Sequence, residues 1–286
     1  MKKIIKLLLI SIFIGLISGC NNTSSMDNIN IYTTTYPIEY VVSRIYKNHS
    51  TIKSIYPNGV DIDDYKITDV LLNEYSSTDM FIFNGLSEEK DYLKPMLKQN
   101  KKLKIIDVSS DIKFENKKEE LWLDPSNLLT IANNVKKGFF EYTNAKYLKD
   151  EIEKNYESLK IDLTNLEAKY RKSAKDAVNK NIVVTDDMFL FLKNYGINVI
   201  SIDKKNEDYD KNVTIVKNLI ATSKIKYIYT KDNKDTDISK QLITGNITKL
   251  KLNSLSTITD EQRNNYDYLS LMLENLEALK KQLNNM

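Results

Sequence analysis

Between residues 147 and 175 the larger side chains Leu148, Ile152, Tyr156, Leu159, Leu163, Leu166 and Tyr170 recur at steps of three and four. That is the spacing of one helix face. Lys, Glu and Asp fill most of the other positions, and neither Gly nor Pro interrupts the run. Thirty helical residues at 1.5 Å each make a rod of roughly 45 Å. A coiled coil needs heptads sustained over a longer stretch, and here they stop at both ends. The pattern therefore predicts a single spine helix.

On either side of the spine the pattern changes. Short β-type runs at 29–33, 51–56, 79–83 and 103–108 alternate with helical segments at 38–46, 68–75 and 91–99. Asp124-Pro125 reads as an N-cap followed by Pro at the first helical position, opening a further helix before the spine. After the spine, runs at 181–185, 198–203, 226–230 and 248–252 repeat the layout. Thr259 and Gln262 stand at capping-box spacing, predicting a last helix from Thr259 to the end. Alternating strands and helices predict an α/β fold of two Rossmann-like lobes with parallel sheets, joined by the spine, with a cleft between them. The expected boundaries are a signal peptide at 1–19, a tether at 20–28, a first lobe at 29–141, the linker helix at 142–177 and a second lobe at 178–286. A continuous helix lacks the loop hinges that absorb large closing motions, so small lobe movements are expected.

The amino terminus adds a location. Lys2, Lys3 and Lys6 precede an apolar core from Leu7 to Ile17, too short for a membrane span and suited to an export signal. Ile17-Ser18-Gly19-Cys20 follows and resembles the lipobox of bacterial lipoproteins, in which the cysteine carries the lipid. Cys20 is the single cysteine, so an internal disulfide is excluded. The expected location is the extracytoplasmic face of the cytoplasmic membrane, lipid-anchored. The formal charge of +3 comes from the three signal lysines; without them 39 basic residues balance 39 acidic ones. A neutral chain lacks the basic surface of a general nucleic-acid binder.

In open parallel sheets, ligands collect beyond the carboxyl ends of the strands. The second strand runs into the turn Pro57-Asn58-Gly59-Val60-Asp61-Ile62-Asp63-Asp64-Tyr65, with three acids. The first strand after the spine ends in Thr185-Asp186-Asp187, the last in Leu252-Asn253-Ser254, and Glu119-Glu120 stands before Trp122. Acids in loops are usually solvated. Several facing one cleft would need a cation or a lysine to offset their repulsion and desolvation.

Taken in order, these segments resemble the solute-binding lipoproteins of bacterial metal-ion ABC importers, the zinc- and manganese-binding group. The resemblance rests on Ile31-Tyr32-Thr33-Thr34-Thr35-Tyr36-Pro37-Ile38, the 57–65 turn, Phe81-Ile82-Phe83-Asn84-Gly85, Leu121-Trp122-Leu123-Asp124-Pro125, and Asp267-Tyr268-Leu269 with Glu274-Asn275-Leu276. It implies a monomer that presents a divalent cation to an ABC permease in the membrane. The positions matching the family's histidine-rich ligand set are Asp63, Glu120 (or its neighbour Glu119), Asp186 and Asn253, and none is a histidine. The single histidine, His49, matches no ligand position and reads as a surface residue. All-oxygen donors suit manganese or another hard ion better than zinc.

Two alternatives stay open: a degenerate member that binds no metal and acts as a surface adhesin or interaction lipoprotein, and a cleft for an organic cation. An enzyme is not expected. No serine sits in a nucleophile elbow, and the seven glycines form no phosphate-binding loop. Lone acid pairs such as Asp63 and Asp64 are weak evidence for glycosidase chemistry.

Overall fold

The computed structural model describes residues 26–112 and 121–285. The first lobe holds strands β1 (Ile29–Thr33), β2 (Ser50–Ser54), β3 (Met80–Phe83) and β4 (Lys104–Asp107), in the parallel order β2-β1-β3-β4. The second holds β5 (Asn181–Val184), β6 (Asn198–Ser201), β7 (Tyr227–Lys231) and β8 (Thr248–Leu252), in the equivalent order β6-β5-β7-β8. Because successive residues of a strand point to opposite faces, each central strand feeds two cores. Met80 and Ile82 enter the large core shared by both lobes, while Phe81 and Phe83 enter a smaller one on the outer face of the first lobe. In the second lobe Ile182 and Val184 face the shared core and Val183 an outer one.

Helices α1 (Tyr36–Tyr46), α2 (Asp69–Ser76), α3 (Leu93–Gln99) and α4 (Pro125–Tyr142) belong to the first lobe. The spine is α5 (Lys146–Lys175), and α6 (Tyr209–Ala221), α7 (Asp237–Leu242), α8 (Asp260–Asn265) and α9 (Tyr268–Leu283) follow it. All seven apolar positions of the predicted spine face are buried. The spine is also stitched to each lobe by hydrogen bonds: Asn155 Nδ2 donates to the Ile45 carbonyl at 3.0 Å, and the Tyr170 hydroxyl to the Met272 carbonyl at 2.8 Å. Gly138 on α4 lets that helix lie directly on β4, since an added Cβ would come within 2.6 Å of Ile106.

Asp124 caps α4 through the Ser126 N–H, with Pro125 at the first helical position. Thr259 and Gln262 form the expected capping box, but that helix ends at Asn265. The backbone is extended at Tyr266, and Asp267 with Ser270 makes a second capping box that opens α9. The expected single C-terminal helix is therefore two. His49 is also not simply a surface residue: its Nδ1 lies 2.5 Å from Asp27 and its Nε2 3.1 Å from Glu151, at the end of the lobe where the chain enters. The expected signal peptide, Cys20 and Glu120 lie outside the described residues. Among the described residues, no helix is long and apolar enough to cross a membrane.

Candidate ligand cleft

Both sheets reverse direction of growth beside their first strand, between β1 and β3 and between β5 and β7. Such a switch point leaves a crevice at the carboxyl edge. In the second lobe it places Asp186, just after β5, beside Lys231, the last residue of β7. Lys231 Nζ lies 3.7 Å from Asp186 Oδ2, and the lysine side chain is only 16% exposed. Asp186 also caps the following 3-10 helix (Asp187–Tyr195) by accepting the Met188 N–H at 3.0 Å. Burial pushes its carboxyl above the ordinary range, against the opposing pull of Lys231 and the Met188 N–H. After Lys231, Asp232 and Asn233 take positive φ of 48° and 64°, which their short polar side chains tolerate. This turn delivers Lys234.

The first lobe contributes the turn after β2. Gly59 sits at φ +75°, and its N–H donates to the Ile258 carbonyl at 3.0 Å. Thr257 Oγ1 donates to the Val60 carbonyl at 2.6 Å. These bonds hold the turn against the second lobe and bring Asp61 onto Lys234 as an ion pair. Burial would raise the Asp61 carboxyl, but the Lys234 hydrogen bond, the Asp63 N–H and the charges of Lys234 and Lys231 hold it below the usual range. Lys231 thus acts on an acid from each lobe.

The cleft between these elements is a polar cavity of about 430 Å³, walled by Asp61, Lys231, Asp232, Lys234, Asn253 and Glu274 among others. Asn253, the expected fourth ligand, is in the wall but is fully engaged. Its Nδ2 donates to Glu274 at 3.3 Å, its Oδ1 accepts from Gln262 at 3.3 Å, and its backbone is held by Asn275. Asp63 is exposed and outside the wall, where its neighbour Asp61 stands instead. Asp186 lies behind Lys231 rather than on the wall. Among the described residues, no group of three or more His, Cys, Asp and Glu side chains is placed to hold a metal ion. A lysine was one of the two expected neutralisers, but Lys231 and Lys234 were not singled out. The strand-end rule carried to β7 reaches Lys231, but a search for oxygen donors passes over a residue that is itself a cation.

Two equivalent parallel lobes, one spine and a polar interlobe cleft define a bilobal solute-binding protein. Residues 31–282 match the family model described as "Zinc-uptake complex component A periplasmic", and the chain belongs to that family. That description is of an uptake component, not of an enzyme. The zinc-binding lipoprotein AdcA of Streptococcus pneumoniae is 24% identical over 312 residues, covering 98% of this chain and 61% of that protein. The chain thus spans under two thirds of that relative. The high-affinity zinc uptake system protein ZnuA of Bacillus subtilis is 23% identical, with 94% of each chain covered. In structure, the Zn(II)-bound ZnuA-like domain of AdcA superposes with a TM-score of 0.76 at 20% identity, covering 90% of this chain and all of that one. The laminin-binding protein Lbp of Streptococcus pyogenes gives 0.74 at 20% identity, covering 90% of this chain and 99% of the other.

Proposed function

We propose that the chain is the lipid-anchored, extracytoplasmic solute-binding component of a metal-ion ABC importer, presenting a divalent cation to a membrane permease. The family and the zinc-named relatives support the metal-uptake role. The cleft supports a departure in ligand chemistry: the chain's one histidine is at the far end of the first lobe, paired with Asp27 and Glu151. The donors of the cleft are therefore oxygens: Asp61 and Asn253 in its wall and Asp186 beside Lys231, together with Asp63 and Glu120 as the ligand positions that the family resemblance implies. Oxygen donors favour manganese or another hard ion over zinc. The observation that carries the reading is Lys231, whose ammonium stands between the acids of the two lobes. It is a built-in cation that an incoming ion must displace, so binding is weaker than in a histidine site.

The same lysine favours a second reading, in which the cleft is permanently neutralised and the chain acts as an interaction lipoprotein, as the name of the laminin-binding relative suggests for that protein. Calorimetry of the mature protein with manganese and zinc separates the two. Manganese binding that weakens in Asp186→Ala is expected. Tight zinc binding lost in the same variant would overturn the hard-ion assignment, and no binding of either ion would establish the second reading.

A further inference from the structure

The first lobe carries a second charged surface, away from the cleft. The 3-10 turn Glu88–Tyr92 and helix α3 bear Lys90, Lys94 and Lys98 at steps of four, on one stripe. Together with Lys101, Leu93 and Leu97 they line a single shallow groove of about 560 Å³. Among the described residues none of these four lysines is in an ion pair, although like charges four apart on a helix repel one another. Exposed Glu88 and Asp91 lie at the start of the segment. Asp79, near its far end, spends its carboxylate on the Asn30 N–H at 2.8 Å.

The stripe crosses back from the carboxyl end of β3, where Tyr56 donates to Glu89, to the start of β4, and the register of the sheet places that second end. Lys104 pairs with Met80, and Met80 with Ile31. Lys101 and Lys102 therefore lie at the amino edge of the sheet, level with the start of β1 and two strand spacings, about 10 Å, to its side. The chain enters the lobe at that edge. The Tyr46 hydroxyl donates to the Met26 carbonyl at 2.6 Å, and His49 holds Asp27. Six residue steps lead from Cys20 to Met26, a reach of at most about 20 Å. The cleft opens at the opposite, carboxyl edge.

We propose that the lysine face of α3 docks on the anionic lipid headgroups of the membrane that anchors the chain. The ammonium groups meet lipid phosphates, and Leu93 and Leu97 rest at the headgroup boundary. The cleft stays uncovered. The choice of lipid as occupant rests on the lipid-anchor part of the function proposed above, on the charge of the patch, and on its Lys101 end lying at the sheet edge where the chain enters. Because the chain without its signal has no net charge, attraction to an anionic surface must come from a local patch.

The chain from residue 20 onward, unlipidated, retains every described element and serves for the test. It is sedimented with vesicles of phosphatidylcholine alone and of phosphatidylcholine with phosphatidylglycerol. Binding only to the anionic vesicles, abolished by salt, is expected. Each lysine near the surface is worth about fivefold in partitioning, so Lys94→Glu with Lys98→Glu lowers it at least about twentyfold. Lys154→Glu with Lys169→Glu, exposed on the spine, makes the same charge change and leaves it intact. No binding to anionic vesicles, an equal loss in the spine variant, or binding to soluble polyglutamate in place of vesicles would each overturn the proposal. The mass of the amino-terminal peptide from native membranes reports lipid on Cys20 independently. Its absence would remove the anchor without touching the vesicle result.

Discussion

Two regions cross between the lobes, and they are held by different physics. The seam is apolar: Trp122 is 3% exposed, Tyr268 and Leu163 no more than 1%. Its polar atoms are satisfied inside it, Trp122 Nε1 donating to the Ser254 carbonyl at 2.9 Å and the Tyr268 hydroxyl to the Trp122 carbonyl at 2.5 Å. The cleft is charged and partly exposed: Asp61 is on Lys234 and Asp186 near Lys231, and Arg263 on Glu39 at 2.6 Å crosses between the lobes beside it. Burying a large apolar side chain contributes about 1.5–3 kcal/mol, whereas partly exposed ion pairs contribute about 0–1 kcal/mol. The seam therefore fixes how the lobes sit, and the cleft charges are left to decide what enters between them.

The largest effect expected is on the seam. Trp122→Ala removes a buried aromatic and leaves the Ser254 carbonyl without its donor, while the backbone carbonyl that Tyr268 uses is retained, and should destabilise the fold by about 3–5 kcal/mol in denaturant unfolding. The two lobes should melt in one transition if they share one core, and separately if the comparison is wrong. Leu163→Ala, mid-spine and 1% exposed, should cost about 2–5 kcal/mol.

A buried charge without a cation should behave differently from the paired charges of the cleft. Glu89 is 5% exposed, and its Oε2 has no partner among the described residues. Burial, opposed by its own backbone N–H and the Tyr56 hydroxyl, pushes its carboxyl from an ordinary 4.5 up to about 7. A raised carboxyl favours the folded state at low pH. The stabilisation is complete below pH 4.5 and is lost as pH rises through about 7, a change of about 3 kcal/mol. Chemical unfolding across that window should show the slope in the wild type and a clearly shallower one in Glu89→Gln. The smallest effect belongs to the cleft: Lys234→Ala, with its side chain 57% exposed, should change stability by less than about 1 kcal/mol.

The difference between the two regions also explains what could be read from the sequence. The spine face was legible residue by residue, because helical periodicity is a local signal that burial enforces. The strands and the caps at Asp124 and Thr259 were legible for the same reason. The break before α9 escaped because the Asp267–Ser270 capping box lies inside an otherwise helical pattern. His49 escaped because its partners Asp27 and Glu151 come from distant segments. The cleft was legible only as a location. That Asp61 rather than Asp63 meets the second lobe, and meets a lysine, depends on a pairing 173 positions apart. No local spacing encodes that pairing.

The central claim is that Lys231 occupies the charge balance an incoming ion would otherwise satisfy. Manganese titration of the wild type and of Lys231→Ala tests it directly. With the ammonium gone, Asp186 and Asp61 should bind the ion at least about tenfold more tightly, a gain of about 1.4 kcal/mol. Equal affinity in the two proteins would contradict the account and would place the ion away from this lysine.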